Sequence, residues 1–324
     1  MHQTSIGIFQ GRVKFRFLWD FLMARILVTG GTGQVGSELG ALIPDATFVS
    51  TKDCDLLVKK DVMEMILDLK PEIVIHTAAR VGGIIDNIAH QSEYYSENVL
   101  MDTNLIDSCL SANVGKFIGI LSTCAYPDIA SSYPMKESEM HNGLPSSSNL
   151  SYGIAKRGMA VYIDAIRHQY KLQYCYVIPC NLYGVHDKFN EKSHFIGALL
   201  MKIYQAQQEN RRNIVLFGTG SPLRQVLYAK DLARVIVEMA ESGNYENLNV
   251  ASNENLSIND YAQSILNGLG FTDWTITYDS AMPDGQYRKD VDSEKFMKLF
   301  PHFEFTPLLT GINEVYQSLQ NVTS

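Results

Sequence analysis

The chain has 324 residues, 46% of them hydrophobic and 19% charged, which is enough apolar material for one large domain or two closely associated ones. A formal net charge of −8 argues against a nucleic-acid surface, which needs a basic excess. The five cysteines are odd in number and widely spread, with no Cys-x-x-Cys, so they read as reduced thiols of a cytoplasmic protein and offer no metal-ligand spacing.

In chain order, Met1 to Leu22 carries Arg12, Lys14 and Arg16 ahead of a short apolar run that Asp20 interrupts. It is too short and broken for a signal peptide or a membrane span, and it reads as an extension outside the fold, with Met23 opening the domain. From there short apolar runs alternate with amphipathic stretches. Strands are predicted at Ile26–Val28, Thr47–Val49, Ile73–Ile75, Phe117–Leu121 and Tyr174–Ile178. Helices are predicted through Leu42, over Val62–Leu69, Asn98–Ser111 and Tyr152–Tyr170. This alternation predicts an α/β fold, a Rossmann-type doubly wound parallel sheet with ligands at the carboxyl ends of its strands. After Cys180 the rhythm loosens. A strand at Ile214–Phe217, a helix over Asp231–Ser242 and another opened by Ser257 as N-cap suggest a smaller lobe. The expected division is residues 23–180 for the dinucleotide and residues 181–324 mainly for substrate.

Gly30-Gly31-Thr32-Gly33-Gln34-Val35-Gly36 lies directly between the first strand and its helix. Glycines at 30, 33 and 36 allow a tight turn, close backbone approach to a pyrophosphate and close helix–strand packing, so this loop with Gln34 and Val35 is expected to hold a dinucleotide. After the second strand the chain reads Val49-Ser50-Thr51-Lys52. With no acid at that point to claim a ribose 2′-hydroxyl, Ser50 and Lys52 favour the 2′-phosphate of NADP over NAD. Asp55 and Leu56 follow where an adenine contact is expected.

Tyr152-Gly153-Ile154-Ala155-Lys156 places a phenol and an ammonium at i and i+4 on one helix face. The ammonium beside the phenol, together with the positive nicotinamide, is expected to favour its ionised form and move its titration toward a useful range. Ser122, at the end of the fourth strand, can share a substrate carbonyl oxygen with Tyr152. A non-catalytic dinucleotide sensor could dispense with Ser122, Tyr152 and Lys156, so their joint presence argues for an enzyme.

At this point the chain resembles the extended short-chain dehydrogenase/reductases and, within them, the family of GDP-4-keto-6-deoxy-D-mannose 3,5-epimerase/4-reductases. The distinctive segments are Ala78-Ala79-Arg80-Val81-Gly82-Gly83-Ile84, Ser122-Thr123-Cys124-Ala125-Tyr126-Pro127, Asn181-Leu182-Tyr183-Gly184-Val185-His186-Asp187, Ser193-His194, Gly218-Thr219-Gly220-Ser221-Pro222-Leu223-Arg224 and Pro283-Asp284-Gly285-Gln286. The resemblance implies NADPH as reductant, a GDP-linked keto sugar as substrate, and a homodimer packed through long helices. It assigns Ser122, Tyr152 and Lys156 to the reduction and Cys124 with His194 to the acid–base exchange of epimerisation. Further cofactor contacts are expected from Ala78, Pro179, Asn181 and Leu182. Lys202, where the family usually has arginine, is expected on the diphosphate with Arg224, while Arg288 and Lys289 are expected to close over the nucleotide. The nearest alternative is a reductase or epimerase-reductase of another nucleotide-linked 4-keto sugar.

Overall fold

The structure is a computed structural model that describes residues 24–189, 193–282 and 284–323. The expected N-terminal extension (residues 1–22), its boundary at Met23, and Pro283 lie outside the described residues.

Six parallel strands form the central sheet: β1 (Ile26–Thr29), β2 (Thr47–Val49), β3 (Ile73–His76), β4 (Lys116–Ile120), β5 (Gln173–Pro179) and β10 (Leu248–Val250). Their spatial order is β10-β5-β4-β3-β1-β2. Strands β1 and β3 are buried along their whole length, as continuous apolar runs must be when helices cover both faces. The chain leaves β1 for β2 in one direction and then builds β3, β4 and β5 in the other. The reversal opens a crevice between the carboxyl ends of β1 and β3.

The helices of this layer are α1 (Gln34–Leu42), α2 (Lys59–Leu69), α3 (Ile84–Ala89), α4 (Gln91–Ser111) and α5 (Leu150–Tyr170), with α4 and α5 packed side by side. Helix α4 starts earlier than the predicted Asn98, because its polar first turn hides the apolar period.

Beyond residue 180 lie β6 (Asn181–Tyr183), α6 (Phe195–Gln208), β7 (Asn213–Phe217), β8 (Leu223–Arg224), β9 (Val226–Tyr228) and α7 (Ala229–Ser242). After β10 come β11 (Leu256–Ser257), α8 (Ile258–Gly268), β12 (Thr275–Asp279), α9 (Glu294–Leu299) and α10 (Leu308–Thr323). Ser257 caps α8 as predicted, its hydroxyl accepting from the Asp260 N–H at 3.0 Å. This half of the chain divides between two cores. Ile196, Leu199 and Leu200 of α6 join Tyr261 of α8 and Ile312 of α10 in a second core. Leu232, Val235 and Ile236 of α7, Leu248 and Val250 of β10, and Phe296 of α9 instead complete the core of the large sheet. Helix α7 packs on α1, and β10 pairs with β5, so the large layer is finished by residues far downstream of 180. Leu248-Asn249-Val250 has its two apolar residues split by an asparagine, so β10 leaves no apolar run in the sequence. Among the described residues no helix is long and apolar enough to cross a membrane.

Candidate active site

The crevice at the strand ends continues into a cavity of about 1140 Å³ that runs between the two cores. Its cofactor side is made mainly of backbone. Gly30 has φ +72°, a left-handed conformation suited to glycine, and a Cβ there would stand 2.6 Å from Ala78 N. At Gly36 a Cβ would stand 2.3 Å from the Gly30 carbonyl oxygen, so this glycine lets α1 seat against the loop. Helix α1 begins at Gly33 with no side-chain cap and no acid in its first turn, which leaves its N-terminal N–H groups for an anion. The residues therefore fit a dinucleotide pyrophosphate.

Gly30, Gly33, Gln34, Val35, Ala78, Pro179, Asn181 and Leu182 all line the cavity, as do Ser50, Asp55 and Leu56. Gly36 lies just beneath the wall, and Lys52 is exposed outside it. Asp53 is an acid that the sequence pattern did not single out. Its Oδ2 accepts from both the N–H and the hydroxyl of Ser50 at 2.8 Å, and these bonds hold the carboxyl below its usual range.

The reacting corner is assembled where β4 ends against α5. Ser122 caps a short 3-10 turn (Thr123–Ala125), its Oγ accepting from the Cys124 N–H at 3.2 Å, and it lines the cavity together with Tyr152. Gly153 makes this closeness possible, since a Cβ there would stand 2.3 Å from the Cys124 carbonyl oxygen. Arg157, one helical turn on, donates to the Ala125 and Gly143 carbonyls and clamps the turn onto the helix.

Burial is the main cause that pushes the Tyr152 phenol above its ordinary value, with Cys124 and Asp102 adding to it and Ser122 opposing. The expected lowering counted the positive nicotinamide as well as Lys156; the protein groups by themselves act in the upward direction. Lys156 is 1% exposed and sits behind the cavity wall, where Asp102 shares its charge at 3.5 Å, so desolvation prevails at the phenol. The phenol is thus held as an acid, the form that reduction of a ketone consumes.

Cys124 lines the cavity, and two donors point at its sulfur: Asn149 Nδ2 at 2.9 Å and Lys289 Nζ at 3.9 Å. Asn149 was not singled out, because nothing in the sequence ties it to a cysteine 25 residues upstream. It occupies the N-cap of α5, yet it makes no capping bond.

His194, the N-cap of α6, enters the same cavity from the second core. Burial pushes its imidazole down to about 4, with the Lys289 and Lys188 charges adding to the shift, so it is neutral at physiological pH. Arg224 and Lys202 line the substrate side. Arg224 is 9% exposed and donates to the Leu223, Gln286 and Asp284 carbonyls, while burial lowers it to about 10. Lys202 donates to the Val215 carbonyl at 2.8 Å and lies 3.8 Å from the centre of the Phe217 ring.

Arg288 is the one expected nucleotide contact that stands apart. It makes a two-pronged bond to Asp290 at 2.6 and 2.9 Å, stacks over Tyr133, and faces a separate surface cleft. An acid two residues on outcompetes the cavity for its guanidinium.

With this geometry in view, residues 26–251 match the NAD dependent epimerase/dehydratase family. The chain belongs to that family. It is 36% identical over 305 residues to a GDP-L-fucose synthase of Dictyostelium discoideum, covering 90% of this chain and 94% of that one. It is 33% identical to a GDP-L-colitose synthase of Yersinia pseudotuberculosis, over 92% of this chain and 98% of that one. The crystal structure of a GDP-L-fucose synthetase from Naegleria fowleri bound to NADP superposes with a TM-score of 0.82 at 33% identity, covering 93% of this chain and 94% of that one. Nearly the whole chain, including the second core, thus resembles nucleotide-sugar enzymes that work with a nicotinamide dinucleotide.

Proposed function

We propose that the chain converts GDP-4-keto-6-deoxy-D-mannose to GDP-L-fucose, inverting C3 and C5 and then reducing C4 with NADPH. The observation that carries this reading is the meeting of two sets of groups in one cavity. Ser122 and Tyr152 suit a carbonyl reduction, and Cys124 and His194 suit proton exchange. A plain reductase needs only the first set.

A ketone at C4 acidifies the protons on C3 and C5, because each carbanion delocalises onto the C4 oxygen. Ser122 and Tyr152 stabilise that oxygen as charge develops. Cys124, supported by Asn149 and Lys289, and His194, neutral at the start of α6, take and return the protons. Bound NADPH would supply the hydride to C4. Tyr152, already held as an acid, then protonates the C4 oxygen, and Lys156 balances the charge left on the phenol.

Arg224, Lys202 and Lys289 provide the cations for a nucleotide diphosphate. The NADPH preference rests on Lys52 and on the Asp53 carboxylate being tied to Ser50, together with the NADP bound to the Naegleria relative. The expected homodimer would use α4 and α5, which leave Tyr95, Leu100 and Val161 exposed.

The test follows NADPH absorbance with GDP-4-keto-6-deoxy-D-mannose in deuterated water, with mass analysis of the product. NADPH oxidation with deuterium at C3 and C5 supports the reading. Oxidation without deuterium leaves a 4-reductase, and no oxidation overturns the assignment of this sugar. The resemblance to an enzyme named for GDP-L-colitose makes other GDP-linked 4-keto-deoxy sugars the second reading, tested with the same assay.

A further inference from the structure

Behind the cavity wall a line of buried polar groups joins the glycine-loop strand to the catalytic helix. Thr29 ends β1, His76 ends β3, Asp102 faces them from α4, and Lys156 approaches from α5. None is more than 3% exposed. His76 Nδ1 lies 2.6 Å from the Thr29 hydroxyl, and His76 Nε2 lies 2.9 Å from Asp102 Oδ1. The same Asp102 oxygen stands 3.5 Å from Lys156 Nζ.

Burial is the main cause that holds His76 below its ordinary value, against the pull of Asp102, so the ring is neutral. A carboxylate only accepts, so Nε2 carries the proton and donates to Asp102, while Nδ1 accepts from the Thr29 hydroxyl. This polarity is self-consistent along the line. The imidazole orients the carboxylate, and the carboxylate presents its charge to the ammonium.

Among the described residues Asp102 is the only hydrogen-bond partner of Lys156, and Asp102 Oδ2 is buried without a partner of its own. A lysine this deeply buried would lose its charge unless an anion faced it. The Tyr152 and Lys156 pair depends on that charge, yet the anion comes from a different helix and is absent from the Tyr-x-x-x-Lys spacing.

We propose that Asp102, braced by His76, is the positioning residue that keeps the Lys156 ammonium charged and in place beneath Tyr152. The other titratable groups at this corner are Tyr94 of α4, Cys124 of the turn after β4, and Tyr152 one turn back on α5. Among the described residues the carboxylate that hydrogen-bonds the Lys156 ammonium is Asp102, so the counter-charge falls to it. The inference rests on the proposed reaction only for its catalytic consequence, because the charge of Lys156 can be read without any sugar.

The decisive experiment labels the protein with [13Cε]lysine and follows the titration of Lys156 by NMR, the resonance being identified by its loss in Lys156→Arg. In Asp102→Asn, which removes the charge at nearly constant volume, the Lys156 titration should move down by about one pH unit or more. Asp102→Glu, which keeps the charge, should retain most of the original titration. In the reductase assay Asp102→Asn should lower kcat by about tenfold or more, leave KM for the sugar nucleotide near wild type, and change the pH profile of kcat.

An unmoved Lys156 titration in folded Asp102→Asn protein overturns the proposal, whatever happens to thermal stability. Should that variant fail to fold, His76→Leu, which removes the donor, decides. It leaves Asp102 charged but unbraced, and an unchanged Lys156 resonance and pH profile there rejects the bracing. A wild-type protein inactive on the GDP-linked sugar would refute the proposed substrate, while the Lys156 titration would still test the role of Asp102.

Discussion

The two walls of the cavity are built on different principles. On the dinucleotide side the working atoms are mostly backbone: the absent side chains of Gly30 and Gly36, and the uncapped start of α1. On the sugar side they are long side chains held by distant carbonyls, such as Arg224 tied to Gln286 and Asp284. A backbone site needs residues close together in sequence and tolerates almost no added volume. A side-chain site gathers residues from far apart and tolerates volume, but it loses function when a charge or a bond is removed.

That contrast can be broken at defined points. The largest effect is expected where the walls meet. Tyr152→Phe should cut NADPH oxidation by about 10² to 10⁴-fold while leaving NADPH binding intact, checked by stopped-flow absorbance and fluorescence titration. Loss of binding instead would make Tyr152 part of the cofactor wall.

Gly36→Ala is the test of the backbone wall. Its Cβ would meet the Gly30 carbonyl at 2.3 Å, and backbone cannot move aside as a side chain can. NADPH affinity should fall by about tenfold to a hundredfold, the scale of about 1–3 kcal/mol of overpacking, with GDP binding unchanged by calorimetry.

Arg224→Met is the counterpart on the sugar wall. It keeps bulk but removes the charge and leaves three carbonyls without their donor, so KM for the sugar nucleotide should rise by about tenfold with NADPH affinity unchanged. Steady-state kinetics and fluorescence titration read the two effects separately.

The smallest effect concerns His194 and pH. Its folded value of about 4 lies below the ordinary 6.5, so the folded state binds fewer protons than the unfolded one in that window. Its contribution is complete above pH 6.5 and is lost as the pH falls toward 4. His194→Asn should therefore lose less stability than wild type over that range, by only a few degrees in Tm for a chain of this size. Asp187, raised to about 6 by burial, acts with the opposite sign in an overlapping window, so the difference between variant and wild type is the quantity to measure by calorimetry.

The same contrast explains what could be read in advance. The glycine loop, Tyr152 with Lys156, and Ser122 at a strand end carry their chemistry in short spacings. Strands β1 and β3 to β5 announced themselves because buried parallel strands read as apolar runs. Asn149 and Asp102 were not legible. The first meets a sulfur 25 residues away in the chain, and the second is one polar residue in the middle of a long helix. Arg288 was misplaced toward the nucleotide because its competitor Asp290 acts through three-dimensional geometry.

Sequence alone thus made the glycine loop and the Tyr152–Lys156 pair legible, since both depend on residues only a few positions apart along the chain. Tertiary structure alone decided the rest. It closed the large sheet with β10, brought His194 across from the second core, and set Asp102 and His76 behind Lys156. It also decided the state of Tyr152, because desolvation depends on everything packed around a group, and no spacing in a sequence records that.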